Sequence, residues 1–364
     1  MYDYVIVGAG LYGSVFAREM TDAGAKCLVV EKRNHIGGNC YTENDEGIHI
    51  HKYGPHIFHT DNKIAWDYIN KYAKFNHFIY RPKVRYKNEL YSFPVNLLTM
   101  YQLWGVKTPE EAKLKLKEER VDIKNPKNAE EWLLANVGRK IYETFFYGYT
   151  KKQWGTEPKN LPSFIVRRLP IRMTFDDNAY THRYQGIPIG GYTQIFKKLL
   201  NGINIETGVD YLKNKDYYDK ISKKILYTGP IDEFFNCELG RLKWRSLKFV
   251  EERFENLDYQ GNSCINFSDY NIEYTRICEH KHFEFNDIKH TVITKEFPQE
   301  WSPEKEKYYP VNDNKNNKLY KEYRGLIDHK KYLLGGRLAE YKYLDMHQIL
   351  SMSLSLSNEE KKLK

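Results

Sequence analysis

YVIVGAGLYGSVFAREM, Tyr4 to Met20, is the stretch whose reading decides the fold. Its apolar residues run straight into Gly8, Gly10 and Gly13, and a helical pattern of apolar positions follows. A second apolar run, KCLVVE, ends at Glu31. Strand, glycine turn, amphipathic helix and second strand with a terminal carboxylate make a βαβ unit of the kind that holds a dinucleotide. In this reading Gly8 makes the turn, Gly10 lets the backbone approach a pyrophosphate, and Gly13 lets the helix pack closely on the strand. Glu31 is placed to accept hydrogen bonds from an adenosine ribose, and its charge disfavours a 2′-phosphate, so NADP is the least expected ligand.

Just beyond Glu31, KRNHIGGNCYT (residues 32–42) carries a second glycine pair, Gly37 and Gly38. The spacing E-x5-G-G resembles flavoproteins of the glutathione-reductase type, where this loop folds back beside the pyrophosphate; it favours FAD over NAD. At the far end of the chain, KYLLGGRL (331–338) reads as a strand running into glycines and Arg337, followed by the helical pattern YLDMHQILSMSLSL. That arrangement returns a second helix N-terminus to the cofactor. The expected fold class is α/β: a discontinuous Rossmann-like FAD-binding domain (1–61 and 326–364), a mainly helical insertion domain (62–200), and an antiparallel-sheet domain containing further FAD-domain segments (201–325). Within the helical part, Thr108 followed by Pro109, Glu110 and Glu111 predicts a helix start.

Composition bounds the function. With 41% hydrophobic and 29% charged residues the chain is of globular type. A formal charge of +9 suits an anionic ligand, but the basic residues are spread along the chain and accompany no nucleic-acid module, so no nucleic-acid partner is expected. Tyrosine is abundant, at 31 residues, and combines a stacking ring with a hydroxyl donor. Five cysteines without a C-x-x-C pair point to a reducing, cytoplasmic setting. Neither a signal-peptide core nor a bilayer-length apolar run is found, so membrane insertion is not expected. His56 and His59 stand three apart with no third ligand at useful spacing, so no metal is expected.

Nine further strings carry a resemblance: EKRNHIGGN (31–39), HKYGPHIFHT (51–60), GYTKKQWG (148–155), RYQGIPIGGYT (183–193), YTGPID (227–232), RSLKF (245–249), YTRICEHKHF (274–283), YYPVNDNKN (308–316) and GGRLAEYKYLDMHQ (335–348). Together and in this order they resemble the bacterial UDP-galactopyranose mutase family, including members that act on UDP-N-acetylgalactopyranose. The resemblance implies an isomerase that interconverts a UDP-sugar between pyranose and furanose forms for cell-surface polysaccharide. It further implies FAD that is active when reduced, its N5 attacking the anomeric carbon, a separate reductant and a homodimer.

The resemblance assigns residues. Arg168 and Arg276 match the two arginines that neutralise the diphosphate, Arg168 on a loop that closes over substrate with Trp154. Phe145, Phe146, Tyr149, Thr150, Gln153 and Trp154 match the uridine-binding segment; read as a helix, the pairs Phe145–Tyr149 and Thr150–Trp154 share faces. Tyr309 and Tyr343 match phosphate-bonding hydroxyls, and Arg245 and Asn266 match further substrate contacts. On the flavin side stand Gly8, Gly10, Tyr12, Gly13, Glu31, Lys32, Gly38, Asn39, His56, Ile57, Arg337, Asp345 and Met346. Two positions depart from the family: Tyr80 stands where Asn is common, and Ala179 where a tyrosine reaches the diphosphate, with Tyr180 or Tyr184 available to compensate. With His59 beside the flavin motif, these leave the sugar open between galactose and its 2-acetamido form. A flavin oxidoreductase of the amine-oxidase type shares the FAD pattern but predicts an apolar substrate tunnel. A non-catalytic nucleotide-sugar-binding module would have no use for a complete FAD-binding unit.

Overall fold

A computed structural model describes residues 1–167 and 170–363, so Arg168 and Leu169 of the expected closing loop lie outside the described residues. The chain forms two compact units, one of residues 1–77, 182–244 and 307–364, the other of residues 78–181 and 245–306.

The first unit is built on five parallel strands in the order Tyr332–Leu334, Ser222–Tyr227, Tyr2–Val7, Cys27–Glu31, Asn204–Thr207. The central strands are apolar without alternation, and Val5, Ile6, Val29, Ile225 and Leu226 are fully or almost fully buried, as expected where both faces of a parallel sheet are covered. The helix Leu11–Asp22 buries Val15, Phe16, Ala17 and Met20. The C-terminal helix Met346–Lys362 packs on it through Ser353, whose hydroxyl donates to the Tyr12 carbonyl at 2.8 Å. Near its end the buried Glu360 accepts from Tyr4 Oη and Lys224 Nζ, both at 2.8 Å, which ties this helix to two central strands. The expected βαβ unit and C-terminal closure are therefore both present. The long helix starts at Met346 behind Asp345, and only a short turn, Gly336–Ala339, follows the glycine pair.

The second unit holds strands hydrogen-bonded in the order Trp244–Phe254, Thr291–Glu300, Arg276–Glu279, Cys264–Phe267, Lys83–Tyr86, Glu89–Ser92. Their pairings are antiparallel except for Cys264–Phe267 with Lys83–Tyr86. Helices Leu97–Trp104, Pro109–Glu119 and Ala129–Ile141 pack into one apolar core with Phe145 and Phe146. The predicted helix start at Thr108 is present: its hydroxyl accepts from Glu111 N at 3.2 Å.

Two boundaries read from the sequence differ. Helix Lys63–Asn70, read into the helical part, belongs to the first unit, whereas strands Asn204–Thr207 and Ser222–Tyr227 pair in parallel with its central strands, in keeping with FAD-domain segments inside 201–325. The helical segment and the antiparallel strands, read as two parts, share one unit: Ser268 Oγ donates to the Thr144 carbonyl at 2.5 Å, and Gly148 approaches so closely that a Cβ there would lie 2.2 Å from Ser268 O. Among the described residues no helix is long and apolar enough to cross a membrane.

Candidate active site

In the first unit, Gly8 holds φ +106°, and a Cβ on it would lie 2.2 Å from Thr228 Oγ1. A Cβ on Gly13 would lie 2.1 Å from the Gly8 carbonyl, so its role in close packing is literal. The second glycine loop folds back as expected: Gly37 N donates to Ala9 O at 2.8 Å, and a Cβ on Gly38, at φ +54°, would come within 3.0 Å of Gly10 Cα. Bare backbone from both loops thus lines one surface at a helix N-terminus, which suits a pyrophosphate. The Glu31 carboxylate is buried and accepts from Ala9 N at 2.7 Å and Arg33 N at 2.9 Å, so it braces the loop as well as offering its remaining lone pairs to a ribose. Asn39 is oriented by Arg33, whose Nη2 donates to its Oδ1 at 3.0 Å.

The C-terminal segment adds its residues to the same unit. Tyr12 is buried, and Gly335 passes so near its ring that a Cβ would lie 2.2 Å away. Arg337 donates to Tyr308 O at 2.9 Å and sits 4.6 Å from the centre of the Tyr343 ring, which stacks on Tyr309 at 5.8 Å. Asp345 caps the long helix, and Met346 Sδ accepts from Cys40 Sγ at 3.6 Å. Ile57 is buried and Lys32 is exposed, the latter pairing with Asp210 at 3.5 Å. His56 shares a hydrogen bond between Nδ1 and the Gly54 carbonyl at 2.8 Å, and burial pushes its pKa down to about 4. Of the two candidates to replace the missing phenol, Tyr184 stacks on Trp66 at 5.5 Å in this unit.

One cluster escaped the sequence reading. His59 Nδ1 lies 2.6 Å from His182 Nδ1, the His347 ring is 5.4 Å from that of His59, and its Nδ1 is buried without a hydrogen-bond partner among the described residues. Burial pushes His59 down to about 4, so at neutral pH it is uncharged. Two facing Nδ1 atoms cannot both carry a proton, so when both rings are neutral the pair adopts opposite tautomers. Asp345 and His347 offer ligand atoms within 4.8 Å of His59, a grouping invisible in sequence because its members are far apart in the chain.

In the second unit the widened π-helical turn Tyr142–Tyr147 precedes the helix Gly148–Trp154. The π-turn breaks the expected four-residue spacing of Phe145 and Tyr149: Phe145 packs edge-on against Tyr91 at 5.3 Å and, with Phe146, belongs to the core. Tyr149, Gln153 and Trp154 remain half-buried, and Thr150 is buried. Lys152, not anticipated from sequence, fastens this helix. Its Nζ lies 2.8–2.9 Å from the carbonyls of Phe267, Asp269, Ile272 and Tyr274, four acceptors that share its three N–H groups, and burial pushes its pKa down to about 8. Arg245, expected on substrate, donates to Gln153 O at 2.9 Å and Lys152 O at 3.3 Å. It caps the helix C-terminus, where unpaired carbonyls favour a cation.

Arg276 faces Asn266 across paired strands, Nε donating to Asn266 Oδ1 at 3.0 Å and Nη2 to Tyr149 Oη at 3.4 Å. Glu296 lies 3.8 Å from Nη1, near enough for charge balance and too far for a hydrogen bond. Three expected substrate residues therefore meet at one guanidinium whose Nη1 keeps both N–H groups without a close acceptor among the described residues.

Fold and site define a flavoprotein with a nucleotide-binding parallel sheet and a second unit presenting arginine and tyrosine. A Rossmann-like NAD(P)-binding family model matches residues 6–72, and a UDP-galactopyranose mutase family model matches residues 144–343. The chain is 40% identical over 358 residues to the dTDP-fucopyranose mutase of Escherichia coli, with 95% of each chain covered. It is 36% identical to a protein of Klebsiella pneumoniae described as a probable UDP-galactopyranose mutase, covering 98% of this chain and 94% of that one. Among solved structures, a reduced UDP-galactopyranose mutase superposes with a TM-score of 0.77 at 14% identity, over 100% of this chain and 96% of the other. The chain belongs to the UDP-galactopyranose mutase family, and it is an FAD-dependent isomerase.

Proposed function

We propose that this enzyme interconverts UDP-galactopyranose and UDP-galactofuranose, providing furanose for a cell-surface glycan such as a capsule, and that it works in the cytoplasm as a homodimer served by a separate flavin reductant. Bound, reduced FAD supplies the nucleophile for the anomeric carbon. The protein's own residues position the sugar and take up the charge that develops on the departing diphosphate. Arg276 and Arg168 meet that charge, Tyr149, Thr150, Gln153 and Trp154 hold the uridine, and Asn266 fixes the plane of Arg276. Tyr309 and Tyr343 add phenolic donors, while Phe145, Phe146 and Arg245 act behind the site as packing and helix cap.

The observation that carries this reading is the Arg276 guanidinium, half-buried among Asn266, Tyr149 and Glu296 with its outer N–H groups unspent, since planar donors of this kind suit a diphosphate. An amine-oxidase-type reaction would need an apolar tunnel in place of these polar donors. A second reading, a dTDP-linked 6-deoxy sugar, is favoured by the 40% identity to a dTDP-fucopyranose mutase. A third, a 2-acetamido sugar, rests on Tyr80 and Ala179.

One experiment separates them. The dithionite-reduced protein is given UDP-galactofuranose, its 2-acetamido counterpart or dTDP-fucofuranose, and pyranose formation is followed by chromatography. Fastest conversion of UDP-galactofuranose supports the proposal, a preference for either other substrate replaces it with the corresponding reading, and no conversion of any overturns all three.

A further inference from the structure

The strand register sets up one unusual surface in the second unit. Asn266 opposes Arg276 and Cys264 opposes Cys278, so these four side chains share one face of the antiparallel pair. The two cysteines are buried thiols with Sγ atoms 2.8 Å apart. Tyr80 is within electrostatic reach of Cys264, Cys278 and Arg276. It is only 7% exposed, its ring stacks on Tyr180 at 5.9 Å, and its carbonyl accepts from Ala179 N at 2.8 Å. Its hydroxyl makes no hydrogen bond to any described residue. A phenol that spends its proton on no protein acceptor is available to donate to a ligand. Burial raises its pKa, so the oxygen keeps its proton and can only strengthen its hold on an anion by donating.

We propose that the Tyr80 hydroxyl and the unspent N–H groups of Arg276 together form the donor pair for the substrate's diphosphate, with Tyr80 supplying the phenol that Ala179 lacks. This rests on the nucleotide-sugar reading above. Tyr180 is the support in this arrangement: its ring fixes the plane of Tyr80. Tyr80 thereby reads phosphate rather than the sugar's substituents.

The test is isothermal titration of the FAD-loaded enzyme with UDP and with uridine, and with dTDP and thymidine should those bind better, for the wild type and Tyr80→Phe. The substitution removes one oxygen and leaves the stacked ring. The expected result is a loss of about tenfold or more in affinity for the nucleoside diphosphate with the nucleoside unchanged, as for a hydrogen bond to a charged group. In Tyr80→Phe/Ala179→Tyr, part of the lost affinity returns. Unchanged diphosphate binding in Tyr80→Phe overturns the proposal, and so does an equal loss for diphosphate and nucleoside. A wild-type enzyme that binds neither UDP nor dTDP sinks the nucleotide-sugar reading itself, a failure seen before any variant is made.

Discussion

This chain holds two kinds of ligand surface, one in each unit. In the first, the glycine loops offer backbone: Gly8, Gly13 and Gly38 leave no room for side chains where a pyrophosphate is expected. In the second, the groups are side chains, and each is held by another: Arg276 by Asn266, the Tyr149–Trp154 helix by Lys152 and Arg245. A backbone surface is set by sterics and fails all at once when a methyl is added. A side-chain surface is set by hydrogen bonds and degrades in steps.

The largest effect should come from Gly13→Val. With a Cβ placed 2.1 Å from Gly8 O, the helix must separate from the strand, and the purified protein should be colourless at 450 nm or fail to fold. A yellow Gly13→Val protein would break the steric half of the comparison. Next is Arg276→Ala, expected to keep FAD while turnover falls about a thousandfold or more, because it removes the half-buried cation proposed to meet the leaving group. Arg168→Ala should likewise keep FAD and nearly abolish turnover, and retained turnover would remove Arg168 from its role.

Lys152→Met comes third. Four carbonyls lose a charged donor at once, which should cost on the order of 3 kcal/mol and lower Tm by several degrees. UDP affinity should fall with it while the flavin spectrum stays unchanged. An unaltered Tm would show that the knot is dispensable and that this half of the site is packed rather than hydrogen-bonded.

What could be read in advance follows the same division. The glycine turn, Glu31 and the second glycine pair are local in sequence, so the parallel-sheet unit and its backbone surface were legible from Tyr4–Met20 outward. The π-turn was not, because an inserted residue in a helix leaves no mark on an aromatic-rich stretch such as YETFFY. For Arg245 a motif records identity and not direction; only the fold shows its guanidinium turned onto Lys152 O and Gln153 O. Lys152 is one of many lysines, and nothing local announces its four carbonyl partners. The meeting of His59, His182 and His347 depends wholly on tertiary structure.

Two buried histidines, one of them in that cluster, yield a pH prediction confined to the first unit. His56 and His59 have folded-state pKa values pushed down to about 4 by burial, against 6.5 for the free side chain. As pH falls below 6.5 the unfolded chain takes up protons that the folded chain does not, so stability declines through the window from 6.5 to about 4 and levels off below it. Denaturant unfolding between pH 7.5 and 4.5 should show this decline, and His59→Gln should make it shallower. An identical pH profile in the variant would show that His59 is protonated at the same pH in both states.

Lys32 should give the smallest effect, and it tests where the backbone surface ends. It follows Glu31 directly and stands among the expected flavin residues, yet its side chain is 72% exposed and its one ion pair, with Asp210, is 3.5 Å long. Exposed pairs of that kind contribute little, since water screens them and two flexible side chains must be held in place. Lys32→Ala should therefore shift Tm by no more than about 2 °C and leave FAD affinity within a factor of about two. A tenfold loss of FAD would mean that the ammonium swings onto the cofactor when it binds. The flavin surface would then depend partly on a side chain after all, and the contrast between the two units would be one of degree.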